Sequence, residues 1–187
     1  MPVFEYDPPE RFVAGTVGEP GSRTFFLQAR GPGGRLTSVA LEKAQVAALA
    51  ERVGELLDEI VRRSGGQAPV PAMAALGSDD TAPLDVPIDE EFRVGTMSLA
   101  WDGDRDVVVI ECFEVDEEEA LGEDPELPAE PDPLRNLLRV SLDGNRARAF
   151  SKRALALVAA GRPPCPFCAG PLDPAGHVCP RANGYRR

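Results

Sequence analysis

The hydrophobic positions of this chain follow two kinds of pattern. In the first kind apolar residues recur every three or four positions. Val46, Leu49, Val53, Leu56 and Leu57 fall on one face of one stretch, and Ala147, Phe150, Ala154, Leu157 and Val158 on one face of another. Both sets have the spacing of a core-facing helical stripe. Glu42 and Asp143 stand just ahead of them, where an acidic group suits the positive end of the helix dipole. Gly65 and Gly161 stand just behind, where glycine suits a C-terminal cap. The second kind is a set of short runs rich in β-branched and aromatic residues. Phe12-Val13-Ala14-Gly15-Thr16, Thr24-Phe25-Phe26-Leu27-Gln28-Ala29, Phe92-Arg93-Val94-Gly95-Thr96 and the run from Val107 to Phe113 read as hairpin strands. Glu19-Pro20-Gly21-Ser22 and Asp102-Gly103-Asp104 supply their turns. Val39-Ala40-Leu41-Glu42 and Val140-Ser141-Leu142-Asp143 read as strands that run into the two helices.

These runs match in pairs, so the chain reads as the same β-β-β-α unit written twice. The first unit covers residues 1–63 and the second 90–161. Residues 64–89, rich in Gly, Pro, Ala and Asp, read as a flexible linker. Each helix has one stripe to bury and each hairpin one face. The expected fold class is therefore α+β: a mainly antiparallel sheet with both helices on one face and an approximate two-fold. Residues 162–187 form a separate tail.

Composition narrows the setting. The chain has 187 residues, a net charge of −11 and 43% hydrophobic residues. No stretch approaches the roughly 20 apolar residues of a membrane helix, and Met1-Pro2-Val3-Phe4-Glu5-Tyr6 has no leader pattern. A cytoplasmic protein with no membrane partner is expected. The charge is unevenly spread. Residues 1–133 carry 10 basic and 29 acidic side chains, while residues 134–187 carry 10 basic and 2 acidic ones. The densest acidic stretch lies in the loop 116–133 of the second unit, where Pro125, Pro128, Pro131 and Pro133 also oppose a helix. It reads as a solvated loop, or as a mask over the basic C-terminal part.

The tail carries the chain's most specific chemistry. It reads Cys165-Pro166-Phe167-Cys168, then eight residues, then His177-Val178-Cys179. Two ligands two residues apart grip one face of a Zn²⁺ ion, and a second pair returned by a turn completes a tetrahedron. Gly170, Pro171, Pro174 and Gly176 provide for that turn. Thiolates and imidazole suit zinc, so the expected site is a structural Cys₃His zinc knuckle of Cys165, Cys168, His177 and Cys179. A thioredoxin-like Cys-x-x-Cys would need a strand before it and a helix after it, and this one has neither. A catalytic zinc usually offers three protein ligands, and four candidates are present here. Cys112, inside an apolar strand, reads as a small buried hydrophobe.

Other chemistries find little support. No Walker-type loop is present, and no G-x-G-x-x-G opens a helix. Gly31-Pro32-Gly33-Gly34 reads as a hairpin turn and not as a phosphate cradle. A single histidine disfavours a Ser-His-Asp relay. Nucleic acid remains a possible partner through Arg146, Arg148, Lys152 and Arg153 on the second helix and Arg181, Arg186 and Arg187 in the tail. The competing reading is that four basic residues form the helix's solvent face.

The segments Val39-Ala40-Leu41-Glu42-Lys43, Ala147-Arg148-Ala149-Phe150 and Ala160-Gly161-Arg162-Pro163-Pro164-Cys165-Pro166, with the closing run from Gly176 to Arg187, resemble an actinobacterial family, domain-of-unknown-function family 3090. The resemblance spans nearly the whole chain, and the closing run is its specific part. It implies an intracellular actinobacterial protein with no established activity and no catalytic residues to carry over. The Cys165, Cys168, His177, Cys179 set fits the pattern of that family.

The function expected from these readings is a non-enzymatic binding or adaptor protein with structural zinc and another protein as partner. One alternative is the nucleic-acid binder. Another is an enzyme acting on a phosphorylated small molecule, which requires a pocket with convergent arginines and a perturbed carboxylate.

Overall fold

The computed structural model describes residues 2–19, 21–78, 80–115, 135–161, 165–168, 179 and 181. The acidic loop 116–133, His177, Arg186 and Arg187 lie outside the described residues. Among the described residues, seven strands and two long helices follow in the order β1 (Val3–Tyr6), β2 (Arg11–Val17), β3 (Thr24–Arg30), β4 (Leu36–Leu41), α1 (Lys43–Arg63), β5 (Glu90–Asp102), β6 (Val107–Glu114), β7 (Leu137–Asp143) and α2 (Gly144–Ala159). The fold class is α+β, with every run read from the sequence lying in its expected element. β1 is the strand that the sequence pattern did not announce.

All seven strands form one mixed sheet in the order β1-β7-β6-β5-β4-β3-β2. Four ladders are antiparallel, while β1 pairs with β7 and β4 with β5 in parallel. Among the described residues the elements follow as β2-β3-β4-α1 and then β5-β6-β7-α2. The two triplets lie head to tail, because β4 meets β5 in parallel. The junction between the triplets is therefore parallel, in a sheet whose ladders are otherwise mainly antiparallel. The reason lies in α1, which crosses over the sheet and lets β5 start beside β4 in the same direction.

The sheet cannot be flat. β1 and β2 are its two edges, yet only the four residues 7–10 separate them in sequence. Six strand spacings of ~4.8 Å would hold flat edges ~29 Å apart. The chain from Tyr6 to Arg11 reaches ~18 Å at most. The sheet therefore curls, and contacts across the curl show it. Tyr6 of β1 hydrogen-bonds Thr37 of β4, with 2.7 Å between the hydroxyl oxygens. The Arg35 guanidinium lies 4.3 Å over the Tyr6 ring. Gly31 lets the ring approach, since a Cβ there would stand 2.9 Å from Tyr6 Cε1. α2 packs on both β7 and β2, strands well apart in the sheet order.

Both helices lie on the same, inner face and contact each other. α1 buries Val46, Leu49, Ala50, Val53 and Leu57, and α2 buries Ala147, Phe150, Ser151 and Ala154. The Phe12 and Phe150 rings stack at 4.7 Å between centroids. The Ser151 hydroxyl donates to the Ala50 carbonyl of α1 at 2.7 Å. Each helix starts as its sequence indicates. Glu42 forms a capping box with Gln45, and Asp143 Oδ1 accepts the Arg146 amide N–H at 2.8 Å.

The segment 64–89, read from the sequence as a flexible linker, is mostly exposed and is anchored to the domain at several points. Its Val70 sits against the start of α2 beside Gly144. Its Leu84 joins Val13, Phe26 and Ala40 in a small second core on the outer face. The Gln28 side-chain amide pairs with the Asp85 backbone, donating to its carbonyl at 2.9 Å and accepting its N–H at 2.7 Å. Gly15 leaves the space that Leu84 fills, because a Cβ on Gly15 would stand 2.4 Å from Leu84 Cγ.

Gly15→Ala is expected to cost about 1–3 kcal/mol through that clash. Leu84→Ala is expected to cost about 2–4 kcal/mol through the lost burial. Because truncating Leu84 also removes the clash, the double variant should cost at least ~1 kcal/mol less than the sum. Urea unfolding of the four proteins measures this, and strict additivity would refute the contact.

Candidate metal centre and the arginine network

Three of the four expected metal ligands are described, and the chain brings them together. The Sγ atoms of Cys165, Cys168 and Cys179 all lie within 4.8 Å of one another. Cys165 and Cys179 are buried and Cys168 is half-buried. The Cys165 and Cys179 sulfurs stand 3.8 Å apart. That is far beyond a disulfide bond of ~2.05 Å. It matches the edge of a tetrahedron, since two thiolates each ~2.3 Å from a zinc ion stand ~3.8 Å apart. Arg181 ties the two cysteine segments together by donating from Nη1 to the Phe167 carbonyl at 3.1 Å.

The local backbone also favours the ligating form of the sulfur. The Cys165 thiol is lowered to about 6 by hydrogen bonds from the backbone N–H groups of Cys168 and Phe167, against an opposing push from burial. A sulfur that accepts backbone N–H groups is held as thiolate, which is the form that binds metal. Cys112 behaves in the opposite way. Burial, with Glu111 beside it, pushes its thiol up to about 12, and it belongs to the main core.

The basic residues of α2 have a different fate from a uniformly solvated face. The Arg148 side chain is 11% exposed and pairs with Asp58 at 2.5 Å. Its other guanidinium N–H groups donate to the carbonyls of Pro71 and Gly54. Arg153 donates from Nε to the Ala14 carbonyl on β2 at 2.9 Å and from Nη2 to the Ala82 carbonyl at 2.8 Å. Its Nη1 reaches Asp80 Oδ1 at 3.1 Å. Arg146 is about half exposed, donates to the Pro9 carbonyl at 2.7 Å and lies 3.4 Å from Asp143. Lys152 is exposed, as is Arg181, the one described tail arginine of the set.

Sequence reasoning missed the centre of this network. Arg11 grips Asp80 with two bonds, Nε to Oδ2 at 2.6 Å and Nη2 to Oδ1 at 2.9 Å. Its Nη1 lies 3.1 Å from Asp85. The partners are 69 residues apart, so no local spacing links them. The one available signal was the strand alternation around Phe12, which sends Arg11 to the face that residues 80–85 cover. The hydrogen bond from Arg11 holds the Asp80 carboxyl below the usual carboxylate range, against an opposing push from burial.

The chain matches the family model described as "Protein of unknown function (DUF3090)" over residues 4–179. No curated protein and no solved structure matches it. No helix among the described residues is long and apolar enough to cross a membrane.

A carboxylate with a depressed folded-state value stabilises the fold above its unfolded value, and that contribution is lost as pH falls through the folded value. The stability difference between the natural protein and Asp80→Asn should therefore be present at pH 7. It should shrink as the pH falls below ~3.9, the ordinary aspartate value. Urea titrations at pH 7, 5 and 3 measure it, and a gap that does not change with pH would exclude the ion pair as its source.

Proposed function

The chain belongs to the DUF3090 family of proteins of unknown function, and we propose that it is a non-enzymatic binding or adaptor protein whose C-terminal knuckle is held by a structural zinc ion. The observation that carries this reading is the triangle of thiols at Cys165, Cys168 and Cys179. In this reading His177 supplies the fourth ligand, and the closed set leaves no position for a substrate. The ion contributes the folding energy that a short tail lacks, because metal binding and ordering of the tail are one event. Free thiols of this kind persist in a reducing compartment, which supports the cytoplasm as the setting.

A protein partner is supported by Phe167. It sits between two of the ligands and is 63% exposed, beside the exposed Arg181. An exposed aromatic next to an arginine is a common anchor of protein interfaces. Nucleic-acid binding through α2 would need cations that stand out toward a backbone, whereas the Arg148 and Arg153 side chains are largely buried against the protein.

Native mass spectrometry of the untagged protein, with and without a chelator and beside a thiol count, tests the metal. One zinc per chain is expected, lost to the chelator and absent from Cys179→Ser. A metal-free chain with a Cys165–Cys168 disulfide would replace this reading with a redox one. Retention should fall as the pH drops, because protons then compete with the metal for sulfur. On single-stranded RNA or DNA at low salt no mobility shift is expected. A shift that weakens steeply as salt rises would favour the nucleic-acid reading instead.

A further inference from the structure

A groove runs along α2. Its two parts have volumes of about 160 and 400 Å³ and share Asp80, Ala149 and Arg153 as lining. They are two ends of one groove, divided where Asp80 meets Arg153. The larger part alone is within the ~300–1,000 Å³ usual for small-molecule sites. The smaller part has an apolar floor of Phe12, Leu142 and Phe150, and Arg11, Arg146 and Arg153 line it. Lys152 lines the larger.

Two of these guanidinium groups converge on one carboxylate. Arg11 holds Asp80 in a fork and is 10% exposed, and Arg153, 17% exposed, reaches the same Oδ1. Two nearly buried cations side by side are costly without an anion between them. The chain itself supplies that anion, from a connecting segment that lies over the groove. The cations have further anchors that do not depend on it. Arg153 also bonds the Ala14 and Ala82 carbonyls, and Arg11 the Ala82 and Pro83 carbonyls, with Asp85 as an ion-pair neighbour 3.1 Å from its Nη1. Removing Asp80 would leave a preformed anion position.

We propose that this groove binds a phosphorylated small molecule whose phosphate takes the place of the Asp80 carboxylate between Arg11 and Arg153. A ligand carboxylate would exchange like for like and gain nothing over Asp80. A phosphate brings about −1.5 to −2 charge and three strong acceptor oxygens. Arg146 lines the same part of the groove and is about half exposed, so it stands ready for the additional oxygen. The floor of Phe12, Leu142 and Phe150 takes the apolar body of the molecule. Asp80, on its connecting segment, acts as an internal competitor that weakens binding until it is displaced. Glu10, on the rim, disfavours ligands with a second anionic group near the phosphate.

Phenyl phosphate is the probe, with benzoate as the carboxylate comparison. Calorimetric titration is run on the natural protein, Asp80→Asn and Arg146→Ala, with circular dichroism to establish folding. The natural protein should bind phenyl phosphate and prefer it to benzoate. Asp80→Asn should bind about tenfold more tightly, because the competitor is gone. Arg146→Ala should lose about tenfold, the value of one charge-assisted hydrogen bond. Folded protein, natural and Asp80→Asn alike, that takes up no phenyl phosphate at about 10 mM would overturn the proposal. So would binding that neither substitution alters, since the anion would then sit elsewhere. Should Asp80→Asn not fold, the natural protein and Arg146→Ala decide. Binding that Arg146→Ala weakens supports the groove, and binding that it leaves unchanged, or none in the natural protein, overturns it.

Discussion

Four residues between the first two strands govern this architecture. Because residues 7–10 must join the two edges of a seven-stranded sheet, the sheet has to wrap, and the wrapping creates one concave face. Both helices occupy that face. A flat sheet would leave α2 near β7 alone, but the curl brings β2 within its reach and allows the Phe12–Phe150 stack. The same closure puts Tyr6 against Thr37 and Arg35. These contacts join residues distant in sequence, so the core is held by chain topology as much as by the amount of apolar surface buried.

The charge asymmetry between the two parts of the sequence has an internal resolution. Arginines of the basic C-terminal part pair with carboxylates of the acidic part: Arg139 with Glu111, Arg148 with Asp58 and Arg153 with Asp80. Exposed pairs of this kind are worth little individually. Arg148 and Arg153 differ because each is largely buried and also satisfies backbone carbonyls. They fasten the segment 64–89 to the domain, so a stretch with a linker's composition is anchored at several points. Among the described residues, part of the charge imbalance is thus met within the molecule.

What could be read from the sequence was what local periodicity encodes. Helix stripes, strand runs and both N-caps depend on neighbours a few residues away, and they were legible. The cysteine spacing was legible for the same reason, since a metal turn is a local device. Strand order was not legible, because different arrangements of the two triplets bury the same stripes. β1 was missed because it is only four residues long and its pairing partner, β7, begins at Leu137. The Arg11–Asp80–Arg153 cluster was missed because three segments distant in sequence meet there. In residues 64–89 glycines and prolines indicate turns, and the anchors Val70 and Leu84 went unannounced because two isolated apolar residues make no periodic signal.

Arg153 has one more consequence, for how these molecules behave in a crowd. β2 is an edge strand, and its Ala14 carbonyl accepts the guanidinium Nε of Arg153. At the other edge, the Glu5 carbonyl of β1 accepts from Arg35. Unpaired acceptors on edge strands are the template on which a second sheet grows, and cationic side chains blunt them. Two arginines with other duties in the fold thus make strand-by-strand aggregation harder at both open borders of the sheet.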